Sequence, residues 1–179
     1  MLRLIMTDLR RKAAWCYEDE RPRAVLKVLL TDGTLAMIIY RGMQWARRYR
    51  LVPLELLLNR LNSICCNCII GRGAEFGPGF VLIHATGVVI NGRVRGGENV
   101  LIEHQVTIGA ERRQNPTIGS DVFIGAGAKV IGEINVGDHS RIGANAVVLD
   151  DVPAFATVAG IPARVVRYRN NNDLKEVAT

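Results

Sequence analysis

Three histidines, His84, His104 and His139, are the side chains of this chain best suited to proton transfer near neutral pH. His84 lies in "LIHATGVVIN", among apolar and small residues. An imidazole projecting from an apolar wall into a groove can act as a general base toward a hydroxyl, an effect worth roughly 10²–10⁴-fold in rate. The same placement also suits a surface or interface imidazole with no chemistry. His104 follows in "LIEHQVTIG", and its ring either reaches the same groove or packs as structure. His139, in "VGDHSR", reads as a solvated edge residue. The crowded "CCNC" at 65–68 has poor spacing for zinc and no second ligand cluster accompanies it. No metal is expected, and Cys68 reads as core packing.

A repetitive frame must position these residues. An apolar residue recurs every sixth position through Ile64, Ile70, Phe76, Leu82, Val88, Val94, Val100 and Val106. Arg112 breaks the series, which resumes with Ile118, Ile124, Val130, Val136, Ile142 and Val148. Period six fits neither a helix nor an alternating strand. It fits a parallel β-helix in which each hexapeptide supplies one short strand and one corner. Three hexapeptides make a triangular coil of 18 residues, so residues 64–153 form about five coils. His84 is the third residue of its hexapeptide and points away from the prism core. On this count Cys66 stacks beneath it as a wall residue.

Residues 1–63 have a different texture. Four segments there read as helices, with Pro22 and Pro53 at first-turn positions and "TDG" at 31–33 as a turn. Residues 154–179 depart from the repeat, cap the open end of the core and finish in a polar, loose tail. The three regions are therefore a helical N-terminus, a β-helix and a C-terminal cap.

The chain has 179 residues, a formal net charge of +6 and 49% hydrophobic residues, which reads as globular with a preference for acidic or phosphorylated partners. Its apolar runs fall short of the roughly 20 residues of a membrane span, and neither a signal peptide nor disulfide usage is evident, so a cytoplasmic location is expected. "RGMQWARRYR" could touch an anionic membrane face, but packing with a solvated basic face explains it as well. Nucleic acid is not an expected partner.

The hexapeptide array, "HATG" at 84–87, "VTIG" at 106–109, "IGAGAKVIG" at 124–132 and "GIPARVV" at 160–166 resemble the serine acetyltransferase group of hexapeptide-repeat acyltransferases. The resemblance implies a left-handed β-helix, a homotrimer and acetyl-coenzyme A as donor. Ile69 and Ile83 stand where that group carries aspartates, and Gln114 and Asn115 stand where it carries an Arg-His pair for the acceptor. A closer resemblance is to the O-acetyltransferases of bacterial capsule, exopolysaccharide and colanic-acid pathways. On that basis the expected acceptor is a sugar hydroxyl of a polysaccharide or its precursor. A serine O-acetyltransferase with an altered acceptor site is the alternative, and a non-catalytic scaffold is the third reading.

The resemblance also assigns roles. His84 is the base, and His104 orients it or meets the acceptor. Gly109, Ala126 and Ala144 leave room for the pantetheine arm, while Lys129, Arg164 and Arg167 are candidates for the nucleotide phosphates. A backbone N–H near Gly109 is the candidate oxyanion donor. Glu103, Gln114 and Asn115 face the acceptor. With aspartate missing at position 69, the candidates to orient His84 are Asn67, Glu75, Glu103 or a backbone carbonyl.

Overall fold

A computed structural model describes residues 1–110 and 114–169. The chain opens with four helices, α1 (Leu2–Tyr17), α2 (Pro22–Val28), α3 (Thr34–Arg48) and α4 (Val52–Cys66). Pro22 and Pro53 occupy first-turn positions of α2 and α4, where a missing N–H costs no hydrogen bond. Arg47 and Arg48 lie in the last turn of α3, where positive charge meets the negative end of the helix dipole. α4 continues to Cys66, so Ile64 and Cys66 belong to a helix and not to the first coil.

From there the chain winds through three-stranded coils. The first holds β1 (Ile69–Ile70), β2 (Glu75–Phe76) and β3 (Val81–Leu82). β4 (Val89–Ile90), β5 (Arg95–Gly96) and β6 (Leu101–Ile102) form the second. The third holds β7 (Thr107–Gly109), β8 (Thr117–Ile118) and β9 (Phe123–Ile124). The fourth holds β10 (Lys129–Ile131), β11 (Asn135–Val136) and β12 (Arg141–Ile142). β13 (Val147–Val148) and β14 (Ala156–Gly160) begin a fifth, and β15 (Ala163–Tyr168) turns back antiparallel to β14.

Strands of successive coils pair in parallel, giving three sheets in the orders β1-β4-β7-β10-β13, β2-β5-β8-β11 and β3-β6-β9-β12-β14-β15. The prism core is a column of Ile70, Leu82, Ile90, Ile102, Ile108 and Ile124, each fully buried. A second inward column runs two residues earlier in each unit, through Cys68, Val88, Val94, Val100, Val106 and Val122.

The coils are not uniformly 18 residues long. Ile70 pairs with Ile90, twenty residues on, and Leu82 with Ile102. Ile90 pairs with Ile108 at eighteen, and Ile108 with Val130 at twenty-two. Two extra residues therefore sit between Leu82 and Ile90, at the corner that carries His84. Four more sit between Ile108 and Ile118. Together they add one whole hexapeptide, so the apolar spacing resumes in register. Between the insertions, the sixth-position series runs on the second inward column, which is also aliphatic. The expected break at Arg112 lies outside the described residues.

Helices α1 and α3 dock on β3 of the third sheet, while α4 packs against β1 of the first. Trp15 of α1 stacks on Phe123 of β9 with ring centroids 5.3 Å apart. Arg41 of α3 makes a bidentate pair with Asp8 of α1, at 2.7 and 3.0 Å, both side chains being 1% exposed. The guanidinium also donates to the carbonyls of Phe76 and Gly77, and Asp8 accepts from the Gly79 and Phe80 N–H groups. This one buried pair ties two helices to the first coil. Tyr40 adds a hydroxyl that donates to the Ala74 carbonyl and accepts from the Phe76 N–H.

Candidate functional site

The corner between the third and first sheets carries the histidines. Because Leu82 registers with Ile102, His84 lies directly beneath His104 of the next coil. Their rings meet edge-to-face with centroids 5.9 Å apart. Cys66 is not beneath His84, because α4 ends there and the coil step at this corner is twenty residues. Continuing up the corner, Ile102 registers with Ile124 and Ile124 with Ile142, which places Ala126 and then Ala144 above His104. Along this corner the column therefore presents two imidazoles and then two alanines.

His84 has a partner that the sequence reading did not name. Its Nδ1 lies 3.2 Å from Oδ2 of Asp32, in the turn between α2 and α3. The same oxygen accepts from the Ala85 N–H at 3.3 Å. Asn67, Glu75 and Glu103, the partners expected, do not hold this ring. Glu103 instead lies 3.4 Å from Nδ1 of His104. Asn67 is used by its backbone, its carbonyl accepting from the Gly87 N–H. Asp32 sits 52 residues before His84. The only local signal was the turn motif "TDG".

The turn is held firmly. Hydroxyls of Thr31 and Thr34 both donate to the Val28 carbonyl, at 2.7 and 2.8 Å. Lys12 of α1, fully buried, donates from Nζ to the Asp32 carbonyl. Burial lowers the Lys12 pKa to about 8, against the raising influence of Cys16 and Asp32. Gly33 takes φ +79°, and a Cβ there would lie 2.3 Å from the Leu82 carbonyl oxygen. Only glycine lets the turn come this close to the coil.

The other expected residues are divided between two corners. Lys129, on β10, donates from Nζ to the Gln105 carbonyl at 2.6 Å and so leans over the histidine corner. Gly109 ends β7 at the opposite edge of the first sheet, beside the four-residue insertion. Gln114 is there as well, its amide donating to Glu133 at 2.7 Å, and Asn115 is its neighbour. One chain therefore does not bring Gly109, Gln114 or Asn115 to His84. Arg164, on β15, donates to Asp150 at 3.1 Å and remains exposed, and Arg167 pairs across from Thr157. His139 lies on the third corner, stacked on Phe155 with centroids 4.8 Å apart. Ile83 is buried, while Ile69 is half exposed. Among the described residues, no group of three or more His, Cys, Asp or Glu side chains is placed to hold a metal.

Comparison with known proteins narrows the chemistry. A family model described as bacterial transferase hexapeptide (six repeats) matches residues 115–150. The chain is 38% identical over 154 residues to the serine acetyltransferase of Helicobacter pylori strain J99, covering 83% of this chain and 90% of that one. The chain belongs to the serine acetyltransferase family. A relative in Synechococcus elongatus, also a serine acetyltransferase, is 40% identical over 157 residues, and this chain spans only 64% of its length. The Brucella abortus serine acetyltransferase, solved in complex with coenzyme A, superposes with a TM-score of 0.84 at 32% identity. The match covers 94% of this chain and 68% of that one.

These matches correct one expectation. The resemblance to capsule and colanic-acid enzymes led to a sugar hydroxyl as acceptor. The relatives that align across most of the chain are serine acetyltransferases. Ile69, Ile83, Gln114 and Asn115 were weighed as loss of the serine site, yet overall similarity to this family survives those four changes. The parallel solenoid with its N-terminal helices matches the family fold over the 68% of the Brucella abortus chain that superposes.

Proposed function

We propose that the protein is an acetyl-coenzyme A-dependent serine O-acetyltransferase with His84 as its general base. The observation that carries this reading is the 38% identity spanning 90% of the Helicobacter pylori serine acetyltransferase. The site supports it with an exposed imidazole on an open corner, a second imidazole beside it and small residues above.

In the reaction, His84 takes the proton of the serine hydroxyl through Nε2 as that oxygen attacks the thioester carbonyl. A C–O bond forms, and the C–S bond then breaks. The imidazolium returns the proton to the departing coenzyme A sulfur, so no net proton is consumed. His104, edge-on to His84, contacts the acceptor. Ala126 and Ala144 line the path of the pantetheine arm, and Lys129 and Arg164 meet its phosphates. The developing oxyanion needs a preorganised donor. A backbone N–H near Gly109 supplies it from a neighbouring subunit of a homotrimer, since in one chain Gly109 lies on the other corner. Gln114 and Asn115 reach the acceptor by the same route.

The test is thiol release from acetyl-coenzyme A in the presence of L-serine, for wild type and His84→Ala. Serine-dependent release by the wild type, lost in the variant while coenzyme A still binds, is the expected result. Undiminished release by His84→Ala would overturn the assignment of the base.

A further inference from the structure

We propose that Asp32, delivered by a turn outside the β-helix, is the residue that positions His84. This rests on the reading of His84 as the general base and adds the partner that reading lacks. The coil itself offers no acid at this corner: Ile69 and Ile83 are apolar, and Glu103 is engaged with His104. Asp32 supplies one from a distance of 52 residues, its Oδ2 3.2 Å from the His84 Nδ1.

Three features show that the contact is constructed. The Ala85 N–H holds the same carboxylate oxygen, so Asp32 is fixed relative to the backbone that carries His84. The Lys12 ammonium grips the Asp32 carbonyl from beneath. Gly33 allows the turn to close against Leu82, two residues before His84, at a distance no side chain would permit. The two-residue expansion of this corner lets His84 and Ala85 bulge toward the turn.

His84 and Asp32 are 53% and 52% exposed. Such a pair adds little to stability, so its consequence is orientation. A carboxylate is an acceptor only. It therefore selects the tautomer with the proton on Nδ1 and leaves the lone pair of Nε2 free for the serine hydroxyl. Asparagine keeps an amide oxygen that accepts from both the Ala85 N–H and the His84 Nδ1–H, but it lacks the charge that stabilises the imidazolium formed as the proton is taken. Alanine leaves Nδ1 with no acceptor, so the ring is free to carry its proton on Nε2.

The experiment compares Asp32→Asn and Asp32→Ala with wild type, by steady-state kinetics and by ¹⁵N NMR of histidine-labelled protein. The chain has three histidines, so a His84→Gln sample assigns the signals. Asp32→Ala should move neutral His84 from the Nδ1–H toward the Nε2–H tautomer, and its kcat should fall about tenfold or more with the KM for acetyl-coenzyme A within about twofold. Asp32→Asn should keep the Nδ1–H tautomer and fall less, because its amide oxygen still accepts from the ring. Wild-type kinetics and an unchanged tautomer in Asp32→Ala would overturn the proposal. The NMR arm needs no acceptor: a wild type that ignores serine but shows the tautomer switch sinks the functional reading alone.

Discussion

The two side chains that matter most at the residue scale are His84 and Lys12. His84→Ala should lower serine-dependent kcat by roughly 10²–10⁴-fold, the range for a lost general base, with coenzyme A affinity preserved in a calorimetric titration. Lys12 makes a prediction in pH. Burial holds its folded-state pKa at about 8, below the ordinary lysine value of 10.5. Between those values the unfolded chain holds a proton that the folded chain has released, so this group makes stability rise with pH across that window. Cys16, Cys66 and Cys68 act in the opposite sense, since burial raises their pKa values and their folded thiols keep protons longer. A Lys12→Met variant isolates the lysine. Denaturant titrations should show the stability of the wild type relative to the variant growing by up to about 3 kcal/mol from pH 7.5 to pH 10. A flat difference would mean that Lys12 is not desolvated.

Two elements hold the site, the α2–α3 turn and the helix pair that carries it. Gly33→Ala places a Cβ against the Leu82 carbonyl and forces alanine to a positive φ. It should cost at least about 2 kcal/mol and, by displacing Asp32, lower kcat as well; thermal melts and kinetics on one sample would show both. Arg41→Ala strands the buried Asp8 carboxylate, a loss of about 3–5 kcal/mol. In the wild type the helices and the first coil should melt together, because the Arg41 guanidinium bonds to both; in the variant the helices should melt first. The helices and the hexapeptide period were legible because their signals are local. Pro22 and Pro53 mark helix starts, and aliphatic residues recur at fixed steps. The register was legible only in part. Both inward columns carry valine, isoleucine or alanine, so a slip of two residues leaves no trace in an apolar count, and the later insertion of four hides it. The Asp32 contact was not legible at all. It depends on how α1 and α3 dock on β3, which no spacing within 31–33 encodes.

For the whole molecule, the division of candidate residues between two corners carries the weight. His84, His104, Ala126, Ala144 and Lys129 gather at one corner, and Gly109, Gln114 and Asn115 at the other. The proposed homotrimer would unite them, and sedimentation should then give a mass that is a multiple of three times 19.7 kDa. Mixing the inactive His84→Ala with an inactive Gln114→Ala/Asn115→Ala variant under subunit exchange should restore part of the activity. A monomer with full activity would remove the need for a shared site. No helix among the described residues is long and apolar enough to cross a membrane. The basic stretch 41–50 packs in part: Arg41 is buried against the coil and Arg47 pairs with Glu55.

The identity of the acceptor decides the account. The most direct measurement is mass-spectrometric analysis of the products formed from acetyl-coenzyme A by the wild type, with L-serine and oligosaccharides offered together. The expected product is O-acetylserine, absent with His84→Ala. Acetylated saccharide with no O-acetylserine would contradict the account.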